Sequence, residues 1–194
     1  MAPKKTARPA GLLLAPGAGA GSDQPSLVAL DEAVTAAGLT VARIDFPYRL
    51  AGRSRPDKPA VLEETIRSSA LALADRIGVD TGALLLGGRS MGGRICSQVV
   101  AAGLAAAGLA LISYPLHPPG RPDKPRTAHL GAISVPCLFI SGTRDAFGTP
   151  DELMAAAAEI PGPVSHVWIE GGDHSLRRKD AAVVEAVLAW LASV

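Results

Sequence analysis

Residues 84–100, LLLGGRSMGGRICSQVV, set a single hydroxyl between two apolar runs and crowd it with glycines. Gly88-Arg89-Ser90-Met91-Gly92 fits G-x-S-x-G, in which a serine occupies a sharp turn between a strand and a helix. Such a turn strains the serine backbone and holds its Oγ above the carboxyl end of a sheet. Side chains at positions 88 and 92 would collide with the neighbouring strand or helix, so glycine is required there. The Met91 N–H, opening the helix, faces any oxyanion that forms at the serine, with the helix dipole behind it. The chemistry this suggests is nucleophilic attack by a hydroxyl, which needs a base and a group to orient that base. The plainer reading is a strand-to-helix turn punctuated by glycine and serine.

Four histidines compete for the role of base. His117 lies in YPLHPPG, His129 on a short helical stretch, His166 inside a strand pattern and His174 in EGGDHSL. Reactive groups are commonly carried on loops just beyond strands, which favours His174. For the acid, Asp145 in GTRDAFG follows the run PCLFISG directly. Asp45, at the end of a strand pattern in IDFPY, is a rival, whereas Asp151 suits the first turn of a helix. Taken singly, His174 and Asp145 also read as solvated loop residues. Taken with Ser90, they form the order Ser, Asp, His, each just past a different strand.

The elements that must hold these residues are short apolar runs alternating with amphipathic stretches. Strands are expected at 11–15, 39–46, 83–88, 108–114, 136–142 and 164–170, and helices at 25–37, 59–77, 91–103, 150–160 and 181–193. Across 59–77, Leu62, Ile66, Leu73 and Ile77 recur at helical spacing as one apolar stripe. Several strands are apolar on both faces, as in parallel sheets covered by helices on both sides. The fold class is therefore α/β, an open, mostly parallel sheet of about six strands with helices on both faces. A single domain is expected over 1–194, with 1–10 flexible. Thr149, Pro150 and Glu152 spell a capping box, and Asp180 is expected to cap the last helix. RPDKP occurs at 55–59 and again at 121–125, with no repeat around either copy, which excludes a solenoid.

With GRSMG as the nucleophile turn, GTRD carrying the acid and GGDHS the histidine, the sequence resembles the α/β-hydrolase superfamily over nearly its whole length. It is similar to the small, lidless, dienelactone-hydrolase-like branch. GGRSMGGR and SGTRD resemble a subgroup that includes a subunit of a chromatin acetyltransferase complex. The resemblance implies Ser90 as nucleophile, His174 as general base and then acid, and Asp145 as its orienter. It also implies a second oxyanion donor in the loop after the first strand, LLLAPGAGAGSDQ, and places it on the Ala18 N–H; Pro16 stands where many relatives have histidine. Read alone, GAGAG lacks both the Lys-Ser/Thr of a P-loop and the G-x-G-x-x-G spacing. Where relatives insert a lid, YPLHPPGRPDKPRTAHLGAI is too short for a lid domain. The expected activity is hydrolysis of a small ester or related acyl bond without metal or cofactor. A non-catalytic scaffold and an acyltransferase on the same three residues are the alternatives.

Composition removes other classes. Hydrophobic residues at 48% and charged residues at 19% describe a packed chain, not a disordered one. A formal net charge of +1 and an aromatic content of 4% argue against a nucleic-acid or acidic-membrane partner. Cys96 and Cys137 lie in apolar runs without metal-ligand spacing and read as buried free thiols. The basic N-terminus is followed only by LLLA, too short for a signal-peptide core, so a cytoplasmic location is expected. The loops 53–59 and 120–126 follow the second and fourth strands and so share the sheet edge of Ser90. Arg53 and Arg126, with Arg89 beside the nucleophile, are candidate binding groups for an anionic substrate. The plainer reading is a pair of proline-stiffened surface loops whose charges are offset by Asp57 and Asp123.

Overall fold

Strands and helices follow one another along the chain in the computed structural model, which describes residues 8–194, with no α-helix between the fourth and fifth strands. In order they are β1 (Gly11–Ala15), α1 (Pro25–Ala36), β2 (Thr40–Arg43), α2 (Pro47–Leu50), α3 (Pro59–Ile77) and β3 (Leu84–Arg89). Then follow α4 (Met91–Ala101), β4 (Gly108–Ile112), β5 (Cys137–Gly142), α5 (Pro150–Ala157), β6 (Val164–Ile169) and α6 (Asp180–Leu191). All six strands join one sheet in the order β2-β1-β3-β4-β5-β6, and every neighbouring pair is parallel. This is the expected α/β architecture.

Alternation along each strand divides the core into two layers. Leu12 and Leu14 of β1, with Leu138 and Ile140 of β5, pack against Leu27 and Leu30 of α1 and Val187 of α6. Leu13 and Ala15, with Cys137 and Phe139, face Ile66 of α3, Ile95 of α4 and Leu153 of α5. Both faces of the sheet are thus covered, which is why β1, β4 and β5 are apolar along nearly their whole length. From β1 the chain moves outward to β2, then returns to β3 on the other side of β1. The loops leaving β1 and β3 diverge there and open a crevice at the carboxyl ends of the strands.

Some boundaries differ from the sequence pattern. The second strand ends at Arg43, because Asp45 turns to bond the Ser22 N–H (2.7 Å) and hydroxyl (2.6 Å). The short α2 follows, opened by Pro47 and anchored by the fully buried rings of Phe46 at its cap and Tyr48 within it. Asp180 does not cap α6: the cap position belongs to Lys179, and no side chain bonds the helix end. The capping box at Thr149 and Glu152 is formed on α5. Of the stretch 1–10, residues 1–7 lie outside the described residues, whereas Ala10 donates to the Ala83 carbonyl and accepts from the Thr40 N–H. Cys96 and Cys137 are both buried and unpaired, and burial pushes both thiols up to about 12. Among the described residues, no helix is long and apolar enough to cross a membrane.

Candidate active site

Ser90 follows β3 directly and stands at the N-cap of α4 with φ 50° and ψ −115°. Its N–H donates to the Ile112 carbonyl (2.8 Å), and its own carbonyl accepts the Arg94 N–H (3.0 Å), so the strained turn is pinned from both sides. A Cβ at Gly88 or at Gly92 would run into the backbone carbonyl of Ala15, the last residue of β1. The glycines therefore allow β1 and the turn to touch backbone to backbone.

A hydrogen-bonded chain leads inward from the hydroxyl. Ser90 Oγ lies 2.8 Å from His174 Nε2, and His174 Nδ1 lies 2.8 Å from Asp145 Oδ2 and 3.0 Å from Oδ1. Asp145 is only 3% exposed, and its Oδ1 also accepts the Phe147 N–H at 2.8 Å. The Phe147 ring stacks on the imidazole with centroids 3.9 Å apart. Arg89 Nη2 donates to the His174 carbonyl at 2.6 Å and so fixes the backbone that carries the ring. A carboxylate at Nδ1 selects the tautomer protonated there, which leaves the Nε2 lone pair free to take the serine proton.

Met91 and Ala18 line the same cavity as the hydroxyl. Met91 is the first residue of α4, where the N–H has no intrahelical acceptor. In the loop after β1, the Gly17 N–H is taken by Gln24 Oε1 (3.1 Å) and the Gly19 N–H by the Tyr48 hydroxyl (3.2 Å). The Ala18 N–H between them finds no acceptor among the described residues. Asp45 belongs to this clamp through Ser22, and Arg43 donates to the Ser22 carbonyl, so Asp45 holds a loop and does not reach a histidine. Asp151 sits exposed in the first turn of α5.

Gly17, Ala18, Ser90, Met91 and His174 line a cavity of about 810 Å³, together with Arg89 and Arg126. Arg53 is not among its walls. It is exposed, ion-paired to Asp57 at 2.7 Å, and borders a separate shallow depression with Arg55. Sequence reasoning missed Arg94, which also lines the cavity. Its spacing was the available signal, since a residue four beyond Ser90 shares its helix face. Burial lowers both Arg89 and Arg94 below the ordinary guanidinium value; nearby Asp180, Asp173 and Asp145 oppose the shift at Arg89, whereas Arg126 adds to it at Arg94. The other histidines are engaged elsewhere: His117 faces Glu152, His129 bonds Ser97, and His166 stacks between Phe139 and Trp168. Among the described residues, no three His, Cys, Asp or Glu side chains gather as a metal cluster.

Fold and site together define an α/β hydrolase. The chain belongs to that family, whose alpha/beta hydrolase domain matches residues 8–189. Solved structures share the fold at low identity. An alpha-beta serine hydrolase homologue from Coxiella burnetii has a TM-score of 0.72 at 18% identity, over 93% of this chain and 86% of its own. A serine hydrolase without a lid from Xanthomonas campestris gives 0.70 at 19%, over 97% and 86%. Dienelactone hydrolase from Anabaena variabilis gives 0.73 at 19%, over 93% and 84%.

Proposed function

We propose that this chain is a serine hydrolase of small esters or related acyl bonds, acting through an acyl-enzyme on Ser90. The observation that carries the reading is the 2.8 Å contact from Ser90 Oγ to His174 Nε2, continued at 2.8 Å from Nδ1 to Asp145. Ser90 Oγ attacks the ester carbonyl carbon as its proton passes to Nε2. The resulting oxyanion accepts hydrogen bonds from the Met91 and Ala18 N–H groups. Asp145, desolvated and bonded to Nδ1, orients the ring and stabilises the imidazolium. Collapse of the tetrahedral intermediate expels the alcohol, which takes its proton from Nε2. Water, deprotonated by the same nitrogen, then adds to the acyl-enzyme and releases the acid. The short connection between β4 and β5 leaves the cavity without a lid domain, which suits small or flexible substrates over long acyl chains.

The test is a fluorophosphonate probe, with turnover of 4-nitrophenyl acetate measured in parallel. Labelling of the wild-type chain at Ser90, with release of nitrophenol and acetate, is the expected result. Labelling at Ser90 with acetyl transfer to an added alcohol or amine, but not to water, makes the chain an acyltransferase. An unlabelled, inactive wild-type chain makes it a scaffold and overturns the reading.

A further inference from the structure

The cavity beside Ser90 holds more positive charge than acyl transfer requires. Arg89, Arg94, Arg126 and Arg144 line it, against the carboxylates of Asp57 and Asp173. Three of these groups are committed, and a fourth, Arg144, is exposed to solvent. Arg89 holds the His174 carbonyl, and Arg144 is exposed on the loop before Asp145. Asp173 accepts from the Ser175 N–H and hydroxyl, and Asp57 pairs with Arg53. Arg94 and Arg126 remain. Among the described residues neither lies within ion-pair distance of a carboxylate. Arg94 Nη1 reaches Gln98 Oε1 at 3.1 Å, its buried Nε has no partner, and Arg126 Nη1 makes only a 3.4 Å contact to the Pro115 carbonyl.

Both side chains are held ready to receive a ligand. Arg94 lies one turn along α4 from Ser90 and lines the same cavity. Arg126 is fixed through its backbone: its N–H donates to the Leu116 carbonyl at 2.8 Å, and its carbonyl accepts the Tyr114 hydroxyl at 2.8 Å. Neither guanidinium can shed its charge, so two of them facing one partly desolvated space repel while it is empty. An anion accepting from both relieves that repulsion and forms charge-assisted, geometrically specific bonds. Pro115 and Leu62 line the same cavity and offer an apolar wall for a short methylene stem.

We propose that Arg94 and Arg126 form a carboxylate subsite, so that the substrate is an ester bearing a second, free carboxylate. This rests on Ser90 being the nucleophile. Asp57 opposes the site: it lines the cavity, and its buried Oδ2 has no donor. Asp57→Asn therefore strengthens the preference.

The test compares kcat/KM for the 4-nitrophenyl half-ester of adipic acid with that for 4-nitrophenyl hexanoate. A second arm puts the charge on the alcohol, as the acetates of 4-hydroxybenzoate and 4-hydroxybenzamide. In at least one arm the anionic ester is expected to lead by about tenfold, the worth of one charge-assisted contact. Arg94→Gln and Arg126→Gln each cut that ratio several-fold, and added salt narrows it. Arg121→Gln, whose guanidinium pairs with Asp123 on the outer loop, leaves the ratio unchanged. The ratio is internal to each variant, so loss of folded protein does not move it. Wild-type ratios near one in both arms, or ratios indifferent to both arginines, overturn the subsite. If no ester turns over, calorimetry with monomethyl adipate separates the two readings. Binding that Arg94→Gln abolishes keeps the subsite and removes the serine chemistry, and absence of binding removes both.

Discussion

Ser90 holds a backbone conformation that costs on the order of 1–3 kcal/mol for a residue with a Cβ, and its hydroxyl contributes little to offsetting that cost. The turn is held by backbone bonds to Ile112 and Arg94, so Ser90→Ala leaves it intact. The variant should lose probe labelling and about three orders of magnitude in kcat, while its urea midpoint stays at the wild-type value. Two aspartates separate orientation from helix capping. Asp145→Asn removes the anion at His174 Nδ1 and should lower kcat by about 10⁴, whereas Asp151→Asn touches only an exposed first turn and leaves kcat alone. The reverse pattern in steady-state kinetics would move the acid elsewhere. Ser90, Asp145 and His174 were legible because each directly follows a strand pattern, and loops at strand ends are short enough to converge. Arg94 was not, since a lone arginine on a helix reads as a solvated face until Arg126, 32 positions on, is folded into the same cavity. The Ala18 N–H was singled out by resemblance alone; the structure shows both neighbouring N–H groups occupied, Gly17 by Gln24 and Gly19 by Tyr48.

Among the elements, the contact between β1 and the turn after β3 carries the most constraint. Leu12, Leu13 and Leu14 are fully buried, and β1 is paired on both sides, so Ala15 cannot retreat from a new side chain. Gly92→Ala should therefore destabilise the chain by about 2 kcal/mol or more, despite the gain of about 1 kcal/mol in helix propensity. Urea denaturation checks this, and an unchanged or higher midpoint would mean that β1 yields. The same packing explains which elements the sequence pattern revealed. The long α3 and the strands buried on both faces carry periods that depend on neighbours three, four or two residues away. The end of β2 does not: it is decided by Asp45 bonding Ser22, 23 residues earlier in the chain. Nor does α2, a single turn whose existence follows from burying Phe46 and Tyr48 and from the Tyr48 hydroxyl accepting the Gly19 N–H.

Over the whole molecule, a formal net charge of +1 says nothing of where the charges gather, and folding sorts them into a cavity rich in arginine and a rim of local ion pairs. Folding also strips water from two imidazoles, and that sets the response of global stability to acid. Burial, aided by Arg94, holds His129 down at about 4, and burial lowers His166 as well. The Ser97 hydroxyl donates to the Arg94 carbonyl (2.7 Å), so it accepts from His129 Nε2 (2.8 Å), a bond that the neutral ring makes. An unfolded histidine titrates near 6.5, so between about pH 6.5 and 4 the unfolded chain binds the extra proton and stability falls as pH falls. Asp123, Asp173 and Glu152 are lowered by hydrogen bonds from Arg121, Ser175 and Thr149 respectively. Their contributions are lost only as pH falls through and below the ordinary carboxylate range, and all three are surface groups with small effects. The two windows are therefore separable. In His129→Gln, whose amide can still donate to Ser97, the free energy of unfolding should decline less steeply than in the wild type from about pH 6.5 down to 4. Urea titrations at half-unit steps read this directly. Parallel wild-type and variant curves across that window would show that His129 takes up its proton in the fold as readily as in the unfolded chain.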